Sequence, residues 1–343
     1  MKDVPDDVSG LAQPAARDWV KVLAKYRDPS LARSLFELAV TIVPFVALWA
    51  LAWWALSVSY WLTFVISVLN AGFLLRLFVI QHDCGHGAFF ANRSVSDWLG
   101  RAIGVFTLTP YDVWRHTHSV HHSSSGNLDK QGMGDIHTMT IDTYRALSWI
   151  RRLQYRVYRH PIILFGLAPG YVFLLQNRLP VGFLYSIKFW LSAMSTNAAI
   201  IAVLGAVIYF GGIAPVLLIF LPSTMLAATA GVWLFYVQHQ FESTHWDRDD
   251  EWQIHDAALH GSSYYVMPPL LNWFSANIGI HHVHHLYSRI PFYRLPQVLR
   301  DNPELAEFNR LTITESLASV RLHLWDEESR RLLTFKQEGA LRA

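Results

Sequence analysis

The sequence predicts an all-α integral membrane protein with four transmembrane helices in two hairpins, interfacial helices and a cytoplasmic cap rich in histidine. Three observations predict this class. Apolar residues make up 52% of the 343 residues and charged residues only 16%, which is too apolar for an average soluble domain. Four long stretches carry no charged side chain. The 17 histidines include three dense groups beside these stretches, where unpartnered polar nitrogens would be costly.

The four uncharged stretches pair into two hairpins. Residues 38–58 and 60–75 form the first, and a further apolar run at 78–80 extends its second helix toward a histidine group. Residues 189–210 and 213–237 form the second, joined near two glycines. A helix crosses the hydrocarbon with about 20 residues, so each stretch is predicted to be one span.

The distribution of basic residues predicts the orientation. Every Lys and Arg except Arg76 lies in the N-terminal segment, the loop between the hairpins or the C-terminal region. The positive-inside rule places these three regions in the cytoplasm, and Arg76 is expected to snorkel to the interface. We predict a cytoplasmic N-terminal segment (1–34), a membrane domain with the histidine groups (35–295) and a cytoplasmic C-terminal helical tail (296–343).

Two shorter apolar stretches, 95–108 and 162–175, are doubtful as spans. The first is short and contains two charged residues, and the second is broken by two glycines and a proline. We expect both to be re-entrant or interfacial. If just one of them crossed fully, the histidine groups would lie on opposite sides of the membrane.

The C-terminal region carries two signals of helix starts. Asn302-Pro303-Glu304 places a proline at a first helical position. The run from Thr312 to Glu315 matches a capping box before an apolar sequence.

Other global properties exclude some classes. The formal net charge of +2 gives no reason to expect a nucleic-acid partner. The single cysteine, Cys84, excludes an intrachain disulfide and fits a site facing a reducing cytosol. No secretory signal peptide is expected, because residues 1–33 mix acidic and basic residues without an early apolar core.

The three histidine groups, called boxes 1 to 3, lie at residues 82–86, 118–122 and 281–285. Their spacing is four residues in box 1 and i, i+3, i+4 in boxes 2 and 3, so each set shares one helix face. The members on these faces are His82, His86, His118, His121, His122, His281, His284 and His285. His239, directly after the fourth span, is predicted to join them. His116 and His282 fall off the faces and are expected to play at most a supporting role.

These histidines predict a metal site. Neutral imidazole suits Fe, Zn, Cu and Ni, and eight or nine imidazoles are too many for one ion. Structural zinc would normally use closely spaced cysteines, which are absent. Two nitrogen-ligated, redox-active irons with open positions fit best. Four isolated histidines are expected to be surface residues or polar residues with hydrogen-bond partners: His137, His160, His255 and His260. His245 differs from them only in being close to His239 in sequence.

The boxes and their flanks resemble membrane fatty acid desaturases. Box 1 has the form HxxxH and boxes 2 and 3 the form HxxHH. Residues 110–114 (PYDVW), 125–129 (SGNLD) and Gln238-His239 are similar to the matching segments of oleate (Δ12, or omega-6) desaturases. Residues 286–291 (LYSRIP) are similar to a run in bacterial relatives. The resemblance runs from about the first span to about Arg294.

The resemblance implies a di-iron enzyme that uses O2 and two electrons to insert a double bond into an acyl chain. The eight box histidines and His239 match the family's iron ligands. The sequence contains no haem-binding HPGG run, so a separate electron donor, ferredoxin-like or cytochrome b5-like, is implied. The implied substrate is an acyl lipid or acyl thioester, taken up beside membrane lipid. We expect the bacterial inner membrane, with the boxes on its cytoplasmic face.

Two alternatives remain at this point. A di-iron hydroxylase or a carotenoid ketolase would carry related boxes, and the sequence does not separate hydroxylation from desaturation. A metal transporter or sensor is a different class. It is disfavoured because a transporter places ionisable residues at the bilayer midplane, whereas these histidines lie at or beyond the ends of uncharged spans.

Further residues are candidates for supporting roles. Metal-bound imidazoles usually donate their second N–H to a carboxylate or carbonyl group. Four carboxylates lie close to the boxes or to His239 in sequence: Asp83, Asp112, Asp129 and Glu242. Four aromatic residues are candidates to line an acyl tunnel, with a plain interfacial role as the alternative: Trp114, Trp233, Tyr236 and Trp273.

Overall fold

A computed structural model describes residues 15–341 of the chain as helices with a few short strands. The helices are α1 (Ala16–Leu23), α2 (Leu31–Ala55), α3 (Tyr60–His86), α4 (Arg93–Phe106), α5 (Tyr111–Ser124), α6 (Ile141–Ala146), α7 (Trp149–Tyr158), α8 (Ile162–Arg178), α9 (Ile187–Gly211), α10 (Val216–His239), α11 (Ile254–His260), α12 (Pro269–Phe274), α13 (His281–Leu286), α14 (Leu295–Asp301), α15 (Ile313–Ser319) and α16 (Phe335–Ala340). The strands are β1 (Met139–Thr140), β2 (Tyr264–Val266), β3 (Arg310–Thr312), β4 (Leu324–Asp326) and β5 (Arg331–Leu333). Single 3-10 turns lie at Ala24–Tyr26, Phe292–Arg294 and Pro303–Glu307.

Four long apolar helices, α2, α3, α9 and α10, are suited in length and composition to cross a membrane. This confirms the prediction of a mostly helical membrane protein with four spans. Helix α3 is the central one, because 61% of its apolar window is buried inside the protein, against 22–28% for the other three. Its neighbours therefore face lipid over more of their surface than α3 does.

Helix α3 is longer than the predicted span. It continues without a break from Tyr60 through both histidines of box 1 and ends at Gly87, whose φ of 68° is in the left-handed region. The Gly87 amide caps the helix by donating to the carbonyls of Asp83 and Cys84. Box 1 is thus part of the transmembrane helix itself, so the span fixes its position.

The prediction that Arg76 snorkels to the interface is wrong. Arg76 of α3 is buried against α2, where it donates to the carboxylate of Glu37 and to Thr41 Oγ1. It also donates to the carbonyl of Trp273. Its guanidinium also lies 4.1 Å from the centre of the Trp273 ring. Helix α2 starts at Leu31, before the predicted residue 38, and so brings Glu37 into the helix as a partner.

The two shorter apolar stretches behave differently from the four spans. Helix α4 packs against α3, α5 and α9 and is not among the long apolar helices. Helices α7 and α8 are bent by 53° at the break between them. Helix α8 itself is π-helical at Ile162–Leu167 and Tyr171–Leu175, on either side of Pro169. This geometry agrees with a broken or re-entrant segment rather than a straight span.

The strands connect the C-terminal segment after residue 295 by hydrogen bonds to the chain before it, outside the four long helices. Strand β1 pairs in parallel with β4, β4 pairs antiparallel with β5, and β2 pairs in parallel with β3. The register aligns Met139 with Leu324 and Tyr264 with Arg310. The segment after residue 295 therefore combines strands with helices and is hydrogen-bonded to the part of the chain that carries the boxes.

The two helix-start signals have different outcomes. Thr312 and Glu315 form the predicted capping box at the start of α15. Pro303 begins a 3-10 turn rather than an α-helix.

One hydrophobic core runs from the spans into the cap. It includes Leu77 and Ile80 of α3, Val237 of α10, Val283 of α13 and Leu295 of α14, each almost fully buried. Close packing of this kind limits side-chain rearrangement. The helices that carry boxes 1 and 3 and His239 are consequently held against one another by apolar contacts.

Candidate metal centre

The structure brings all nine predicted histidines together from helices α3, α5, α10 and α13. They form two groups, and within each group one ring nitrogen per residue lies within 4.8 Å of the others. Cluster A consists of His82, His86, His118, His122 and His284, and cluster B of His121, His239, His281 and His285. The predicted faces therefore converge.

Helix α5 contributes to both clusters. His118 and His122 point into cluster A, whereas His121 points into cluster B. The clusters are adjacent, because the His122 ring of cluster A stacks on the His285 ring of cluster B with centroids 4.1 Å apart. Box 2 is thus split between two neighbouring sites, as box 3 is. Sequence spacing groups these residues on one face but does not show the division.

The distances between ring nitrogens fit a shared metal ion. In cluster A the Nε2 atoms of His86 and His118 are 3.0 Å apart, and those of His118 and His122 are 3.1 Å apart. In cluster B the Nε2 atoms of His239 and His281 are 3.1 Å apart. Imidazole nitrogens lie about 2.1 Å from a metal ion such as zinc, so two ligands at right angles would be about 3.0 Å apart.

Two nitrogens in the centre lack a hydrogen-bond partner. His121 Nε2 and His285 Nε2 are buried and unpaired. An unpaired buried polar atom costs about 1–3 kcal/mol, and a bound cation would remove that cost by accepting the lone pair. The donor set and the unpaired atoms therefore fit a metal centre.

The imidazoles are held in the form that binds metal. Burial, followed by the positive charge that neighbouring imidazoles would carry, lowers the pKa of His118, His122 and His284 well below the usual value. The same causes lower the pKa of His281 and His285. A neutral imidazole has a free lone pair, so these rings are ready to coordinate at neutral pH.

Two carboxylates orient histidines of the centre. Asp83 Oδ1 lies 3.3 Å from His82 Nδ1, and its Oδ2 accepts a 2.8 Å hydrogen bond from the Phe292 amide. Asp135 Oδ1 lies 2.5 Å from His121 Nδ1, which leaves Nε2 of that ring free for a ligand. Such contacts fix the tautomer and the ring orientation.

Sequence reasoning identified Asp83 but missed Asp135. Asp135 lies in an irregular loop, so no helical spacing connects it to box 2. The signal in the sequence is the pair of glycines shortly before it, Gly132 and Gly134, which indicates a turn. Both glycines have positive φ in the structure.

The other three proposed carboxylates have different surroundings. Asp112 forms two 3.0 Å hydrogen bonds with Arg101, Asp129 lies 2.6 Å from Arg248, and Glu242 is exposed.

The histidines set aside by spacing have contacts outside the two clusters. His116 packs against the rings of Phe183 and Phe189, and His282 Nε2 lies 2.8 Å from the Leu305 carbonyl. His245 Nε2 lies 3.0 Å from a carboxylate oxygen of Asp247.

A largely apolar cavity of about 530 Å³, the main cavity, reaches both clusters. His82 and His118 of cluster A and His281 of cluster B form part of its wall. Its apolar lining comes mainly from α3, α8 and α10, for example Leu75, Phe78, Val172, Phe173 and Val232. The volume is within the range of about 300–1,000 Å³ that is typical of ligand sites.

Of the four aromatic residues predicted to line a tunnel, Trp114 lines the main cavity. The other three are not among the described residues that line this cavity. Trp233 packs on Phe165, Tyr236 donates to the Ser319 carbonyl, and Trp273 covers Arg76.

A second, polar pocket of about 510 Å³ approaches cluster A from another side. His86, His118 and His122 form its floor, and Arg93, Arg115 and Lys188 contribute positive charge. Trp114 and His118 line both this polar pocket and the main cavity. Their rings are stacked 4.7 Å apart at 13°, so together they separate the apolar space from the polar one.

Comparison with known proteins identifies the family of this chain. The fatty acid desaturase family matches residues 59–316. A Bacillus subtilis (strain 168) protein described as a fatty acid desaturase is 42% identical over 92% of this chain and 90% of its own length. An sn-1 acyl-lipid omega-3 desaturase (ferredoxin) of Synechocystis sp. is 28% identical over 82% and 79%, and an sn-1 oleoyl-lipid 12-desaturase of Anabaena variabilis is 24% identical over 83% and 81%. The family match over most of the chain and the 42% identity to the Bacillus subtilis relative show that this chain belongs to the fatty acid desaturase family and is an oxidoreductase.

Proposed function

We propose that the chain is an O2-dependent di-iron desaturase that introduces a cis double bond into an acyl chain, of the Δ12 or omega-6 type, on lipid-linked acyl groups. The observation that carries this proposal is the convergence of nine imidazoles on two adjacent points in the wall of an apolar cavity. A methylene chain is the substrate that such a cavity suits, and oxidation of unactivated methylenes with O2 is chemistry that a redox-active metal supplies.

The nine histidines of clusters A and B would hold one iron in each cluster. When bound, the irons would activate O2, which is the oxidant: two hydrogens leave adjacent methylenes, and O2 takes them up with two electrons and two protons to give two waters. The nitrogen-rich, thiolate-free donor set supports iron over a structural zinc site. Asp83 and Asp135 would hold His82 and His121 in the tautomer that directs the correct nitrogen inward.

The protein's own residues position the substrate and limit access of water. The main cavity surrounds an acyl chain with apolar side chains of α3, α8 and α10, and places it against His82, His118 and His281. Trp114, stacked on His118, closes the cavity toward the polar pocket. A water-poor channel favours oxidation of the chain over side reactions.

The acyl carrier and the double-bond position are the finer parts of the proposal. The main cavity lies between membrane-associated helices, which suits an acyl lipid entering from the bilayer more than an acyl thioester from the cytosol. The Δ12 assignment is supported by the oleate-type sequence flanks and by one relative named a 12-desaturase. Five relatives are named for omega-3 activity, so the sequence flanks are the main support for Δ12 and product analysis distinguishes the two positions.

The electron donor is proposed to be a separate ferredoxin-like or cytochrome b5-like protein. The polar pocket brings the surface to His86 and His122, with Arg93, Arg115 and Lys188 around it. Positive charge at this opening would favour an acidic carrier. We place this surface on the cytoplasmic side of a bacterial inner membrane, because the basic loops lie there by the positive-inside rule.

A di-iron hydroxylase or carotenoid ketolase is the nearest alternative, since the same centre would serve it. Metal transport is less well supported. The charged groups Arg76 and Glu37 of the long helices bind each other instead of lining a path, and the main cavity is largely apolar.

The proposed function is tested by expression in a host that lacks polyunsaturated fatty acids, followed by mass spectrometry of its lipids. A new diene with a Δ12 double bond is expected, and it should be absent with an empty vector. Hydroxylated fatty acids in place of the diene would favour the hydroxylase. Oxidised carotenoids as the only product, in a carotenoid-producing host, would favour the ketolase.

A further inference from the structure

Asp135, which contacts His121 of cluster B, lies in a segment without helix or strand. Residues 131–138 form this irregular loop, which leads into β1. Loops of this kind are usually more mobile than helices, whereas a carboxylate that orients a metal ligand has to keep its position. Contacts from other parts of the chain are therefore needed to hold the loop.

The last turn of α7 supplies the first of these contacts. The Tyr158 hydroxyl accepts a 3.1 Å hydrogen bond from the His137 amide. The Tyr155 hydroxyl accepts a 3.1 Å hydrogen bond from the Met139 amide. Two backbone amides that follow Asp135 are thus bonded to side chains of one helix.

Arg159, which directly follows α7, makes the central contact. It is 1% exposed, and in the part of the chain that the structure describes all of its hydrogen-bond acceptors are neutral. The acceptors lie in the loop, at the end of α10 and in the C-terminal segment: the His137 carbonyl, Thr138 Oγ1, the Tyr236 hydroxyl, Gln240 Oε1 and the Leu322 carbonyl. A buried charge is costly, and neutral dipoles offset the cost only while they stay in place. Arg159 therefore fixes three segments relative to one another.

The same guanidinium reaches the residue that follows His239. Gln240 Oε1 accepts from Arg159 Nη2 at 2.9 Å and from the Thr138 hydroxyl at 3.2 Å. The loop that orients His121 and the helix end that carries His239 consequently share one buried support. Both histidines belong to cluster B.

We propose that Arg159 is a positioning residue for cluster B, which acts by holding the loop of Asp135 against the end of α10. The inference rests on the proposed function, because cluster B is taken to bind one of two irons. Arg159 is not among the described residues that line the main cavity or the polar pocket, so its effect has to pass through its neighbours. None of its five acceptors lies on α3, α5 or α13, the helices that carry cluster A.

Arg156 offers a matched control on the same helix. It is exposed, donates to the Tyr144 hydroxyl at 2.7 Å and lies 4.6 Å from the centre of the Phe335 ring. Arg159→Met and Arg156→Met remove the same charged group, and only the first removes the contacts with the loop. The wild type and both variants are prepared without metal. Competition with a calibrated chelator for Fe2+ then measures the affinity of each of the two sites.

Arg159→Met is expected to weaken one of the two sites about tenfold, the lower end of the effect of residues that orient a metal ligand. Arg156→Met should keep both affinities. Amide hydrogen exchange of the metal-free protein should become faster at residues 137–139 in Arg159→Met and stay unchanged in Arg156→Met. If Arg159→Met does not accumulate, Thr138→Val and Tyr158→Phe replace it. Each removes one hydroxyl of the same group and should weaken the same site by a smaller factor.

A double variant tests whether Arg159 acts through Asp135. Asp135→Asn is measured alone and together with Arg159→Met. If Arg159 places Asp135, the combined loss of affinity should be clearly smaller than the product of the two single losses. A general loss of stability would give the full product.

Three results would overturn the inference and leave the proposed function standing: two sites of wild-type affinity in Arg159→Met, equal weakening of both sites, or the full product in the double variant. For the replacement variants, wild-type affinity in both would have the same meaning. A wild type that binds no iron would instead contradict the proposed function, and with it the inference that rests on it. The iron content of the wild type therefore separates the two failures.

Discussion

The structure contains two buried groups of polar side chains near its long helices, and they differ in how their atoms are satisfied. Arg76 and Glu37 form a closed group, since Arg76 donates to Glu37, Thr41 and the Trp273 carbonyl and packs on the Trp273 ring. The nine clustered histidines form an open group. Ring nitrogens face one another at 3.0–3.1 Å, and others have no partner.

The difference separates a structural polar group from a binding site. A buried ion pair is acceptable when each partner compensates the other's loss of water. The histidine group is compensated only in part, because neutral imidazoles bring more lone pairs to the same two points than their N–H groups can satisfy, and two ring nitrogens in the centre stay unpaired. It becomes satisfied when a cation is added, whereas the Arg76 group needs none.

The largest expected effect is loss of activity on removing a histidine from the open group. His121→Ala should lower unsaturated product by more than about 100-fold, because loss of a ligand is more severe than loss of a residue that only orients one, which costs about 10–100-fold. His116→Ala is the matched control, because His116 is on the same helix and packs against phenylalanines outside both clusters. Product is measured by lipid mass spectrometry at equal protein level. Normal unsaturation in His121→Ala would contradict the ligand assignment.

Breaking the closed group should affect stability. Glu37→Gln leaves Arg76 buried without its counter-charge and is expected to destabilise the protein by about 3–5 kcal/mol. The double variant Glu37→Met/Arg76→Met, which replaces both partners by apolar side chains, should recover most of this loss. Thermal unfolding in detergent measures both. If the double variant were no more stable than the single one, the pair would have a role beyond charge compensation.

A medium effect is expected for the carboxylate that sequence reasoning missed. Asp135→Asn keeps the size of the side chain but no longer stabilises the N–H of His121 as a carboxylate does, so iron affinity should fall about 10–100-fold. Competition with a calibrated chelator measures the affinity. An unchanged affinity would mean that the contact with His121 has no influence on the metal.

The smallest effect is expected at a carboxylate outside both groups. Asp129 pairs with Arg248 at the surface, with both side chains more than one third exposed. Asp129→Asn should leave iron content and product level unchanged, because exposed ion pairs contribute little. Iron content is measured in Asp129→Asn and Asp135→Asn side by side. An equal loss of iron in the two variants would indicate a general effect of removing negative charge.

Much of the open group was predictable, because helical spacing is a local property. The i, i+3 and i+4 positions of boxes 2 and 3 identify inward-facing histidines, and His239 follows from the end of an uncharged span. The division into clusters A and B was not predictable. It depends on how helices α3, α5, α10 and α13 approach one another in three dimensions.

The closed group and Asp135 illustrate what local patterns miss. The sequence predicted an interfacial position for Arg76, because Glu37 lies just before the first uncharged stretch and was not recognised as its partner. Glu37 can pair with Arg76 because α2 begins at Leu31 and includes it. Asp135 reaches His121 from an irregular loop. Contacts of this kind depend on tertiary packing, for which the sequence carries no periodic signal.

Metal analysis of the purified, active protein tests most directly the proposal that the open group holds two irons. Iron is quantified against protein in the wild type and in His121→Ala. About two irons per wild-type chain are expected, with a clear loss of iron in the variant. Retained activity in a protein that contains zinc and no iron would contradict the proposed di-iron centre.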